Sequence, residues 1–133
     1  AAAAVAALID DGKGKLLLTT RGVDPGYGML DLPGGFINPD ETAEDAVKRE
    51  LHEELGIKVK SLKYINSAPN EYLFKGLTVF TLDMAFQVVP YSFENLKPMD
   101  DIKDFGFYSE EEINYDLISA PSVKNFVKQY FRT

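Results

Sequence analysis

Apolar positions along the chain fall into runs of different period. Ala4 to Ile9 and Leu16 to Thr20 are short apolar runs separated by Asp10-Asp11-Gly12-Lys13-Gly14, a pattern that predicts two strands joined by a turn as an opening β-hairpin. Arg21 to Gly28 carries glycine and proline and predicts a loop, and Leu30-Asp31-Leu32 then runs into Pro33-Gly34-Gly35. Thr42 as N-cap, with Asp45 three residues on and Gly56 as the stop, predicts a helix from Thr42 to Leu55. Ile57 to Ala68 and Leu77 to Val89 predict two more strands with Pro69-Asn70 between them, followed by a long loop from Pro90 to Asp101. Val123, Phe126, Val127 and Tyr130 have the i, i+3, i+4, i+7 spacing of an amphipathic tail helix whose aromatics serve the core. The pattern contains no repeat and no linker, so residues 1–133 are expected to form a single domain.

One helix breaks its own pattern. On a wheel of about 100° per residue with Ala43 at zero, Ala46, Val47, Leu51 and Leu55 define the packed side. Glu50, Glu54 and Glu53 fall at about −20°, +20° and −80°, interleaved with that stripe or at its edge, while Asp45, Lys48 and His52 hold the solvated side. Carboxylates gathered at a partly buried edge repel, acquire raised pKa values and cost several kcal/mol unless a cation compensates them. Their i, i+3, i+4 spacing brings all three to one patch. The competing reading is a charged surface helix with an Arg49 to Glu53 pair.

Charge and composition narrow the chemistry. The net charge is −7, and the segment from Gly35 to Ile57 holds seven acids against Lys48 and Arg49. That acidity argues against duplex nucleic acid as a partner. The chain has no cysteine and one histidine, which lies on the far side of the helix, so hard oxygen ligands and Mg2+ or Mn2+ are favoured over zinc. No apolar run approaches the roughly 20 residues of a membrane span, and Ala1 to Ala7 lacks the features of a signal peptide. The expected location is therefore cytoplasmic, with no membrane partner. Neither a P-loop nor a Gly-x-Gly-x-x-Gly turn is present.

Gly35, then Glu41, then Arg49-Glu50-Leu51-His52-Glu53-Glu54-Leu55-Gly56-Ile57, at these spacings, resembles the Nudix box at every defined position. A chance match has a probability on the order of one in a hundred million per start position. The resemblance implies an α/β fold, an α/β/α sandwich with a mixed β-sheet, and hydrolysis of a nucleoside diphosphate linked to another group. It also implies metal binding by Glu50, Glu53, Glu54 and the Gly34 carbonyl, with Glu41 and Arg49 as the charged pair that fixes loop to helix. Asp101 matches a further acid outside the box that serves as ligand or base, where many relatives have Glu; Asp100 and Glu94 are the alternatives. Leu30 stands where many relatives have Trp, which alters packing rather than chemistry.

Ser67 to Tyr72, with Phe74 and Gly76, is similar to the segment after the box in NADH pyrophosphatase-type members, some of which carry an upstream zinc ribbon that these residues could not contain. An ADP-containing substrate, ADP-ribose or NADH, is the resulting expectation. Arg21 is the expected phosphate cation, and Tyr27, Tyr72 and Phe74 are candidates to stack on a base. The alternatives are a nucleoside triphosphate pyrophosphohydrolase and a Nudix-like domain that senses a nucleotide without turning it over. A homodimer is left open.

Overall fold

A computed structural model describes residues 1–133, the side chain of Tyr72 excepted. Strand β1 (Ala2–Leu8) is apolar on both faces and fills an interior place in a four-stranded sheet. It pairs antiparallel with β4 (Gly34–Phe36) and parallel with β6 (Leu77–Pro90), while β5 (Val59–Phe74) forms the far edge against β6. A second, antiparallel sheet has the order β3 (Leu30–Asp31), β2 (Leu16–Arg21), β7 (Ile102–Tyr108). Helix α1 (Ala43–Leu55) covers one side of the large sheet and α2 (Pro121–Phe131) the other. This is the expected α/β/α sandwich, with its strands divided between two sheets.

The sides of β1 define two cores. Ala6 and Leu8 join Leu16, Leu18, Phe126 and Val127 beneath α2, whereas Val5, Ala7 and Ile9 join Leu17, Val47, Leu51 and Leu55 beneath α1. Thr42 caps α1 by accepting a hydrogen bond from the Asp45 N–H at 3.1 Å, and Gly56 closes it in the left-handed conformation (φ 71°). Helix α2 docks through a buried polar contact as well as through Phe126. Asp83 on β6 accepts from the Ser122 hydroxyl on α2 and from the Thr81 hydroxyl, the latter at 2.7 Å.

Two expectations need correction, and one strand has no counterpart among them. The opening hairpin closes its turn, with Asp11 N donating to Lys15 O at 3.0 Å and Leu17 N to Ile9 O at 2.9 Å, but its strands then separate into different sheets. A strand has two hydrogen-bonding edges, and β1 uses both, for β4 and β6. Pro69-Asn70 does not interrupt β5, which runs on to Phe74. Proline is tolerated there because β5 is an edge strand, and the reversal falls instead at Lys75-Gly76, both with positive φ (50° and 77°). Strand β7 was not anticipated at all.

The link that positions the functional residues is β4. Gly34 has φ 153°, and a Cβ there would lie 2.0 Å from the Val5 carbonyl oxygen on β1. Substitution by alanine therefore forces β4 off β1. Gly34→Ala is expected to lower stability by ~3 kcal/mol or more. Gly28→Ala, also at positive φ but with open space around it, is expected to cost ~1–2 kcal/mol. Urea unfolding of the two variants checks the difference.

Candidate active site

Between β3, β4, α1 and the loop that enters β7 lies a cavity of about 310 Å3. Six carboxylates line it: Asp31, Glu50, Glu53, Glu54, Asp100 and Asp101, with Arg21 as the cation among the lining residues. Glycines let the helix approach the strand this closely. Gly34 N donates to Glu54 Oε1 at 2.8 Å, and a Cβ on Gly35 would lie 2.8 Å from the Glu50 carboxyl group. Glu54 is only 8% exposed. Burial, with Glu50, Asp31 and Asp100 nearby, pushes its carboxyl pKa up to about 9, against the stabilising Gly34 N–H. Burial likewise raises Glu50, and Arg49 opposes that rise.

Arg49 organises the other wall. Its Nε and Nη2 donate to both oxygens of Glu41, at 2.7 and 2.9 Å, and Nη2 also donates to the Phe36 carbonyl at 3.0 Å. Nη1 reaches Glu50 at 2.9 Å and Glu53 at 3.3 Å. One planar guanidinium thus ties the loop before α1, the end of β4 and two cavity carboxylates together, which a lysine could not do with one point charge. Hydrogen bonds from Arg49 and from the Asn38 N–H hold Glu41 down at about 2.

The other sequence-predicted residues divide. Arg21 lines the cavity but is not a free cation: Nη1 donates to Asp31 at 3.1 Å and Nε to the Pro25 carbonyl at 2.7 Å. Phe74 lies at the tip of the β5–β6 hairpin beneath Lys75 and does not line the cavity. The side chain of Tyr72 lies outside the described residues. Asp101 lines the cavity. Asp100 does so too, held at φ 55°, and it is the one whose charge acts on both Glu50 and Glu54. Asp31 was missed as a site residue. Burial raises its pKa although Arg21 opposes it, and in sequence it was only one polar residue in a short apolar strand.

The patch expected from Glu50, Glu53 and Glu54 forms, though the side chains do not stand as a ready-made cage: among the described residues no three His, Cys, Asp or Glu side chains converge on one point. Glu54 is turned under Gly34, and Glu50 and Glu53 lean on Arg49. The donor chemistry nonetheless fits a hard divalent cation. All six lining side chains offer oxygens, and their mutual repulsion in a recessed space is relieved either by protonation, as the raised pKa of Glu54 shows, or by a bound cation. Gly34 is seen engaged through its N–H, toward Glu54.

The NUDIX domain model matches residues 1–130. The chain belongs to the Nudix hydrolase family. It is 35% identical over 126 residues to the ADP-ribose pyrophosphatase of Methanocaldococcus jannaschii, covering 89% of this chain and 66% of that protein. It is 33% identical to the NAD-capped RNA hydrolase NudC of Chromobacterium violaceum over 72% of this chain and 34% of that protein. The chain thus spans about two thirds of the first relative and one third of the second. Among solved structures, the MutT NUDIX hydrolase from Burkholderia pseudomallei superposes with a TM-score of 0.81 at 19% identity, over 96% of both chains. Nudix hydrolases generally use divalent metal ions. Among the described residues no helix is long and apolar enough to cross a membrane.

The Arg49–Glu41 contact generates a pH prediction. Glu41 has a folded pKa near 2 against an ordinary 4.5, so the stability it contributes is fully present above pH 4.5 and is lost as pH falls toward 2. Glu41→Gln is expected to melt below wild type at pH 6 to 7, with the gap closing between about pH 4.5 and 2. Paired thermal melts across that range check it, and a gap independent of pH contradicts it.

Proposed function

We propose that the chain hydrolyses the diphosphate bond of an ADP-containing substrate of the ADP-ribose or NADH type, using Mg2+, with Mn2+ as a substitute. The observation that carries the reading is the recessed ring of carboxylates around Glu54, a site with no use for its charge unless cations and phosphates meet there. The names of the two relatives support the ADP-containing class.

Glu50, Glu53 and Glu54 would hold the divalent ions, which neutralise phosphate oxygens and increase the acidity of water when bound. The chain's own residues do the rest. Arg49 fixes Glu50 and Glu53 by their carboxylates, and the Gly34 N–H orients Glu54. Asp100, on the opposite wall, is the acid we assign to accept a proton from the attacking water; Asp101 beside it, whose carbonyl receives the Gly22 N–H at 2.8 Å, positions the loop. Oxygen from water adds to one phosphorus, the bridging P–O bond breaks, and ADP-ribose yields AMP and ribose 5-phosphate. Arg21, already anchored by Asp31, presents its remaining N–H groups to a phosphate at the cavity wall.

Glu53→Gln and Glu54→Gln are each expected to lower kcat at least about a hundredfold while the fold survives, because the exchange keeps size and removes charge. Steady-state rates with circular dichroism check this, and activity within a few-fold of wild type contradicts it. ADP-ribose or NADH is expected to show higher kcat/KM than any nucleoside triphosphate. Turnover of dGTP at least ten times more efficient than both would replace the ADP reading with the triphosphate one. Absence of any turnover in a panel of such substrates with Mg2+ would favour a nucleotide-sensing domain.

A further inference from the structure

On the α2 face of the large sheet, between the end of α2 and strands β5 and β6, lies a second cavity of about 420 Å3. That volume is within the roughly 300–1,000 Å3 of small-molecule sites. It shares no lining residue with the carboxylate cavity. Leu8, Ile65 and Phe126 form its apolar lining, and Asn66, Gln129 and Arg132 supply polar groups.

The sheet is irregular at this point. Tyr64 stands opposite Phe86 and Asn66 opposite Ala85, so Ile65 is an extra residue, a β-bulge. In a regular ladder Asn66 would face Met84, on the side that α1 covers. The bulge turns it to the α2 side with Ala85, where it and Ile65 both line the cavity. The Asn66 amide then makes one contact: Nδ2 donates to Gln129 Oε1 at 2.6 Å, while Oδ1 is buried and has no partner among the described residues. A tie between strand and helix needs no orphaned acceptor, and such a group calls for a partner from outside the chain.

We propose that this cavity binds a nucleoside monophosphate, with the base edge on Asn66 and the phosphate on Arg132. Gln129 is exposed, and when its side chain swings aside the Asn66 amide presents a donor beside an acceptor, the pattern that a nucleobase edge complements. Leu8, Ile65 and Phe126 give the ring an apolar surface. Gln129 and Arg132 are three residues apart at the end of α2 and so neighbours on its surface, which sets the guanidinium beside the amide. Arg132 forms no ion pair among the described residues, and no Asp or Glu lines the cavity, in a chain of net charge −7. Its fork is thus open to an anion. Asp10, which meets the lining residue Tyr130 from outside, is held by the tyrosine hydroxyl. Lys63 lies exposed opposite Gln87, itself a lining residue, and adds a second positive charge nearby.

Calorimetric titration of AMP into the whole chain, in 0.15 M KCl with EDTA, tests this. AMP is the nucleotide that the proposed hydrolysis releases, but the site does not depend on that reaction, and in EDTA the carboxylates of the active site repel a phosphate. Saturable one-to-one binding is expected. Arg132→Gln, at an exposed position, is expected to weaken AMP at least about tenfold and to leave adenosine unchanged. Asn66→Ala is expected to weaken AMP and adenosine alike with unchanged circular dichroism, and Gln129→Ala to bind AMP at least as tightly as wild type. No saturable binding at millimolar AMP overturns the proposal. AMP binding that survives both Arg132→Gln and Asn66→Ala overturns it too, as does ribose 5-phosphate binding as tightly as AMP, since the base then contributes nothing.

Discussion

The approach of α1 to the two glycines of β4 is the constraint on which the site depends. Gly34 gives its N–H to Glu54, and Gly35 leaves the space that the Glu50 carboxylate occupies. Strand and helix therefore meet through charge at the point where a structural helix would meet a sheet through leucine. The cost is one desolvated carboxylate and one half-desolvated carboxylate, several kcal/mol in all. Val47, Leu51 and Leu55, all fully buried on the same helix, offset it at ~1.5–3 kcal/mol each. The apolar stripe of α1 is what makes the charged stripe tolerable.

Arg49 extends that constraint outward. Its contacts with Glu41 and the Phe36 carbonyl set the entry of the chain into α1, and its third nitrogen restrains Glu50 and Glu53. Structural and functional roles therefore coincide in one side chain. On the far wall, Met99 N donates to the Glu54 carbonyl at the C-terminal end of α1 at 2.9 Å, which brings Asp100 to face the helix carboxylates. The long loop before β7 is thus a second wall held by the same helix.

The helix itself was legible in sequence because three local signals agreed: the Thr42 cap, the Gly56 stop and the apolar period between them. The position of the carboxylates within that period pointed to a site before any fold was known. What was not legible depended on distant partners. The turn after Ile9 was readable, but nothing local records that β1 spends both edges on β4 and β6 and so cannot keep β2. Pro69 reads as a break because its edge-strand setting is a property of the sheet. Arg21 looked free because Asp31, its partner, sits ten residues away across the β2–β3 ladder. Phe74 shared a segment with residues similar to the stretch after the box in NADH pyrophosphatase-type members, yet the hairpin carries it past the cavity.

The account stands on the claim that the recessed carboxylates of α1 form a site for divalent cations. Calorimetric titration of Mn2+ into the ion-free protein, without substrate and in 0.15 M KCl, tests that claim most directly. Saturable binding is predicted, weakened at least about tenfold by Glu54→Gln and left unchanged by Glu44→Gln on the exposed start of the same helix. Equal affinity in wild type and Glu54→Gln, or no saturable binding at millimolar Mn2+, would contradict it.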